Sequence, residues 1–183
     1  AAYLITLIEP WEFDELRISS LPERARAHGL TWHGLPITDG EAPDGRLLER
    51  WKEIGPALVT SLMAGERVVV HCKGGLGRAG TVASILLLDT HTVATADEAM
   101  LHVRAARPGA IETSAQEKFL RKWAKRTKGG AKGPLAAAIQ LQEPIRFHQV
   151  TRDSAVSVMI PCRPSLSCMR GDGARLSTGS GYC

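Results

Sequence analysis

The chain has 183 residues, 44% hydrophobic and 23% charged, with four cysteines. That balance is one of an ordinary folded domain, alone or with a tail; it excludes a disulfide scaffold, and no apolar run approaches the about 20 residues a membrane helix needs. The net charge of +4 is uneven: residues 1–126 carry 16 basic and 16 acidic side chains and residues 127–183 carry seven and three, so the first part offers no basic face for nucleic acid.

In chain order, the first 126 residues alternate between strand and helix signals. Residues 3–8, Tyr-Leu-Ile-Thr-Leu-Ile, form a nearly continuous apolar run and predict a buried strand. Ser20 with Pro22 marks a helix start, and Gly29 its end. Thr31 to Ile37 predicts a second strand. Leu47, Leu48, Trp51, Ile54, Leu58, Val59, Leu62 and Met63 recur at three- and four-residue spacing, so 44–64 is an amphipathic helix closed by Gly65. Arg67 to His71 is a short buried strand, and Thr81 to Leu88 a helix apolar nearly all round, hence central. Thr95 with Glu98 forms a capping box for the next helix. Thr113 and Gln116 open the last, with Phe119, Leu120 and Trp123 on its buried face. This alternation predicts an α/β fold, a mostly parallel central sheet flanked by helices.

Composition changes near Lys125. Residues 128–134, Lys-Gly-Gly-Ala-Lys-Gly-Pro, read as a linker. The rest, rich in Gly, Ser, Pro and Arg, shows no sustained period beyond Leu135 to Leu141. The division is therefore a domain over 1–126 and a linker with a largely disordered tail over 127–183. Cys162, Cys168 and His148 match no compact zinc spacing, and no metal or other cofactor is expected. No basic-then-apolar leader opens the chain, which predicts a cytoplasmic protein with no membrane partner. Oligomeric state is not legible.

The informative stretch runs from Val68 to Thr81. A buried strand stops at Cys72, a hydrophobic helix begins near Arg78, and the loop between them holds Gly74, Gly75 and Gly77. A loop that turns its N–H groups onto one anion needs unusual backbone angles, which glycine permits. The helix N-terminus adds further N–H groups and the positive end of its dipole. Together, Lys73 to Gly77 make a nest for a phosphoryl dianion, and Arg78 adds a planar grip on two phosphate oxygens. The same field favours the Cys72 thiolate, the nucleophilic form. Attack on phosphorus needs an acid for the departing oxygen and a base for water, and one carboxylate on a loop serves both. Asp39, Glu41 and Asp44 are candidates; Asp39, just past a strand end and beside Gly40, is preferred. His71 is read as structural. The nucleotide loop Gly-x-x-x-x-Gly-Lys is absent.

His71 to Arg78 resembles the His-Cys-x5-Arg signature of cysteine-based protein phosphatases, closest to the cyclin-dependent-kinase-associated branch of the dual-specificity group. Trp32 to Gly40 is similar to the family's acid loop and Arg107 to Gln116 to its glutamine loop. The resemblance covers about residues 3–125. It implies a phosphatase of phosphotyrosine or phosphoserine/phosphothreonine, working through a cysteinyl-phosphate, with Cys72, Arg78 and Asp39 catalytic and a phosphoprotein as substrate. Three departures follow from it. Ala79 stands where many members carry a thiolate-bonding Ser or Thr. Glu112 stands at the water-positioning Gln, leaving Gln116 as a capping partner. The family's first strands precede residue 3. Two other readings stay open: a phosphate-binding module impaired in turnover, and another cysteine enzyme such as an arsenate reductase or sulfurtransferase. The spacing of Arg78 from Cys72 and the separate acid segment argue against the last.

Overall fold

The computed structural model describes residues 2–130, 146–149 and 155–159. The elements in chain order are β1 (Tyr3–Thr6), α1 (Pro10–Glu15), α2 (Leu21–Ala27), β2 (Thr31–Gly34), α3 (Gly45–Met63), β3 (Arg67–His71), α4 (Gly77–Asp89), α5 (Ala96–Ala106), α6 (Ser114–Gly130), β4 (Arg146–Gln149) and β5 (Ala155–Met159). The sheet order is β2-β1-β3-β5-β4. β1 runs parallel to both β2 and β3, β5 is antiparallel to β3, and β4 is antiparallel to β5. Four strands therefore point one way and β5 the other, so the expected mostly parallel sheet is present. At the C-terminal ends of the parallel strands the chain stays extended: Leu7 N–H donates to His71 O (3.0 Å), Leu35 N–H to Thr6 O (2.8 Å) and Ile37 N–H to Leu7 O (3.0 Å). The segments read as strands to residues 8 and 37 thus carry their apolar side chains past the ladder and into the core.

The core explains the sequence pattern. Every residue of α4 from Gly77 to Leu88 is buried, because α3, α5, α6 and β3 all pack against it. α3 buries Leu47, Trp51, Ile54, Leu58 and Leu62, one stripe of an amphipathic helix. Trp51 and Trp123 meet edge to face (6.3 Å), and both indoles donate to Asp89, at 2.8 and 2.7 Å. Burial pushes the Asp89 carboxyl above its ordinary value, against the pull of those two N–H bonds. The Thr95 capping box forms as expected: Thr95 Oγ1 accepts from Glu98 N–H (3.2 Å), and Glu98 Oε2 accepts from Thr95 N–H (3.1 Å).

One local reading needs correction, and two features go beyond what the sequence indicated. Ser20 is the N-cap residue of α2, but at ψ 3° it lacks the extended backbone usual for a cap and its side chain makes no cap bond. α1 is an additional helix; at six residues it is too short to show a period. The region read as linker and tail contributes structure: α6 continues through Gly130, and β4 and β5 extend the sheet beyond β3. Ala155-Val156-Ser157-Val158-Met159 has the composition of a strand, and the edge of β3 supplies the partner that composition alone does not reveal. Residues 131–145, 150–154 and 160–183, including Cys162, Cys168 and Cys183, lie outside the described residues.

Candidate active site

β3 ends at His71 on the C-terminal rim of the sheet, where crevices in parallel α/β sheets form. Cys72, the next residue, is 4% exposed and a free thiol. The loop then turns back on it, so that Gly75 N–H donates to Cys72 Sγ at 3.2 Å. That turn puts Gly75 at φ +67°, a conformation that favours glycine. Gly77 starts α4 hard against α6. A Cβ there would lie 2.9 Å from Gln116 Nε2 and closer still to the Glu112 carboxylate, so no side chain fits without displacing both.

Arg78, the second residue of α4, is 1% exposed. Glu12 on α1 takes it as a fork, Nη1 to Oε2 at 2.5 Å and Nη2 to Oε1 at 3.0 Å. Nη1 also donates to Ile37 O (3.2 Å) and Nη2 pairs with Asp39 Oδ1 (3.1 Å). The buried Nε–H has no acceptor among the described residues. Burial works against the Arg78 charge, but the Glu12 carboxylate outweighs it and the guanidinium stays cationic. Burial likewise pushes the Glu12 carboxyl up; the Arg78 fork and the Glu9 N–H bond overcome that and hold it below its ordinary value. Glu12 was not among the residues expected from sequence. It is 1% exposed; locally it caps the start of α1, accepting from Glu9 N–H at 2.8 Å, and that local role gives no sign of Arg78.

The expected residues fall into place unevenly. Asp39 is brought to Arg78 while remaining 67% exposed. Asp44 is instead the N-cap of α3, accepting from Arg46 N–H at 2.9 Å, and Glu41 offers its backbone carbonyl to Gln116 Nε2 (3.2 Å). Lys73 turns outward to Glu15 (2.6 Å), which leaves its backbone N–H as its contribution to the loop. Gly74 O accepts from Arg107 Nη2 (3.2 Å), and Leu76 O accepts from Gly80 N–H (2.9 Å) and Ile111 N–H (3.4 Å), fixing the back of the loop. His71 Nε2 lies 2.8 Å from Thr6 Oγ1, which also accepts from the Trp32 indole (2.8 Å). Burial holds the His71 ring below its ordinary pKa, hence neutral at neutral pH. Gln116 is fully buried. Its Oε1 accepts from Glu112 N–H (2.9 Å) and Thr113 N–H (3.4 Å), and its Nε2 reaches the acid segment at Glu41. It therefore does more than cap α6: it ties the start of that helix to the segment bearing Asp39. Ala79 is fully buried and offers the sulfur no hydroxyl.

Among the described residues no cluster of His, Cys, Asp or Glu is placed to hold a metal ion, and no helix is long and apolar enough to cross a membrane.

A buried cysteine and a forked, buried arginine stand at the two ends of a glycine-rich strand-to-helix loop. Residues 26–120 match the family model described as "Swiss Army Knife protein, DSP-PTPase phosphatase domain", and the chain belongs to that family. It is similar to cyclin-dependent kinase inhibitor 3 of Rattus norvegicus, 34% identical over 110 residues that cover 60% of this chain and 50% of the relative. It is also similar to the dual specificity protein phosphatase CDC14C of Homo sapiens, 34% identical over 92 residues, 50% of this chain and 19% of the relative. The chain spans about half the length of the curated cyclin-dependent kinase inhibitor 3 proteins it matches. Among solved structures, kinase associated phosphatase with its catalytic-site cysteine replaced by serine superposes with a TM-score of 0.60 at 28% identity, covering 68% of this chain and 69% of that one. A mutant form of Tk-PTP gives 0.56 at 31% identity, over 69% and 78%.

Proposed function

We propose that this domain hydrolyses phosphate monoesters of phosphoproteins, on tyrosine or on serine and threonine, through a cysteinyl-phosphate on Cys72. The observation that carries this reading is the unspent Arg78 Nε–H, buried at the start of α4 beside a loop whose Gly75 N–H turns toward the Cys72 sulfur. A phosphoryl oxygen is the acceptor that a buried donor in that place lacks. The Cys72 thiolate attacks phosphorus, and the P–O bond to the substrate oxygen breaks as Asp39 gives that oxygen its proton. Arg78 and the loop N–H groups hold the equatorial oxygens, on which charge spreads in the transition state. Water then attacks phosphorus as Asp39 takes its proton, the S–P bond breaks, and inorganic phosphate leaves with the thiolate restored. His71, neutral and tied to Thr6, positions the end of β3.

Ala79 favours one alternative, a domain that binds phosphate but turns over slowly, because the leaving thiolate has one stabilising partner fewer. Phosphate release from phosphotyrosine and phosphothreonine peptides, by wild type and Cys72→Ser, separates the two. Turnover abolished by the substitution supports the enzyme. No turnover in either, with phosphate bound by both, supports the binding module.

A further inference from the structure

The segment that carries Asp39 is fastened to the domain through Glu9, which lies just before α1 and is 8% exposed. Glu9 Oε1 accepts from Thr38 Oγ1 (3.1 Å) and Arg46 Nη2 (2.8 Å), and Oε2 accepts from Arg46 Nη1 (3.1 Å). Thr38 directly precedes Asp39, and Arg46 is the second residue of α3, so one carboxylate clasps both ends of the stretch 38–46. Arg46 Nε is held in turn by Asp44 (2.8 Å). Glu9 N–H donates to Glu12 Oε2 (2.8 Å), the atom that also holds Arg78 Nη1. Glu9 is therefore one residue from each partner of the Asp39–Arg78 pair. The Arg46 guanidinium holds its carboxyl below the ordinary 4.5, which keeps it an acceptor at neutral pH.

Such a network is a poor device for stability alone: burying a carboxylate opposes the gain from its partners, and apolar residues would serve as well. Its value lies in where it puts Thr38. Asp39 is exposed and paired with Arg78, and a phosphate arriving on that guanidinium competes for the same donor. Once displaced, Asp39 must stay within reach of the departing oxygen, and the bond from Thr38 to Glu9 limits how far it swings.

Resting on the phosphatase reading above, we propose that Glu9 is the positioning residue for the general acid Asp39, acting through Thr38 and Arg46. A misplacement of about 1 Å at a reacting group costs up to about 10²-fold in rate, and the loss falls on the step the acid assists.

The test compares the full chain with Glu9→Gln, Thr38→Val, Asp39→Asn and the Glu9→Gln/Asp39→Asn double variant, on two substrates. One is a phosphotyrosine peptide, whose phenol (pKa about 10) leaves poorly without a proton; the other is an aryl phosphate whose phenol leaves as a stable anion. Glu9→Gln should lower kcat on the peptide by about 10-fold, a fraction of the about 10²–10⁴ that general acid catalysis supplies. KM and the activated substrate should move by less than about twofold. Thr38→Val, which leaves the Glu9–Arg46 pair intact, should show the same split at about threefold and decides the matter if Glu9→Gln does not fold. The double variant should be no slower on the peptide than Asp39→Asn. Equal slowing of both substrates, multiplicative losses in the double variant, or a wild-type leaving-group dependence in Thr38→Val overturns the proposal and leaves the phosphatase reading standing. A wild type that releases no phosphate overturns both.

Discussion

Arg78 is 1% exposed, and replacing Glu12 with alanine strips its guanidinium of the fork, leaving Ile37 O and Asp39 as its support. Removing one partner of a buried pair costs about 3–5 kcal/mol. Asp39 remains at 3.1 Å but is 67% exposed, so its compensation is partial and the expected loss is about 3 kcal/mol. In a domain of this size that lowers Tm by about 6–12 °C. The effect has a pH signature. Glu12 sits below its ordinary 4.5 when folded, so its stabilisation is complete above that value and is lost as pH falls through the folded one. The Tm gap between wild type and Glu12→Gln should hold steady from neutral pH to about 4.5 and narrow below it. Glu9 and Asp44, also held below their ordinary values, titrate in both proteins and cancel in the difference. Thermal melts followed by circular dichroism at pH steps from 7 to 3 make the measurement. An unchanged Tm for Glu12→Ala would show that the pair carries no net energy, and a gap for Glu12→Gln that ignores pH would show that the Glu12 charge is not its source.

What could be read in advance is what a short stretch of chain constrains by itself. Val68-Val69-Val70 before three glycines and an all-apolar helix leaves few structures other than strand, tight loop and central helix, and those are the elements that hold Cys72 and Arg78. The Thr95–Glu98 capping box spans four residues and needs nothing else. Glu12 reaches Arg78 across 66 positions, and its local bond to Glu9 N–H at the start of α1 says nothing of that partner. The topology of β1 and β3, side by side and parallel, brings it in. The same holds for Gln116: its capping role is local and was legible, whereas its bond to Glu41 spans 75 positions and depends on α6 lying beside the acid segment. β5 was missed for a related reason, since its residues become a strand only against the open side of β3.

Two further outcomes are expected. Arg78→Lys keeps the charge but loses the planar fork to Glu12 and the Nε donor. On the proposed mechanism kcat should fall at least about 10²-fold, as for one preorganised donor at a developing charge, and vanadate should lose more affinity than phosphate; near-normal kcat would mean that charge alone suffices. A chain ending at Gly130 tests the sheet. β5 pairs with all five residues of β3, from Arg67 opposite Met159 to His71 opposite Ala155, and each hydrogen bond lost is worth about 0.5–1.5 kcal/mol net. Ordering β4 and β5 offsets part of that, so the expected loss is a few kcal/mol and a lower Tm. The shortened chain should also associate with itself, because β3 becomes an unprotected edge. Since β3 leads directly into Cys72, turnover should fall more steeply with temperature than in the full chain. A shortened chain that stays monomeric and melts at the full-length temperature would mean that β3 does not depend on β5, and would favour a domain that ends with α6.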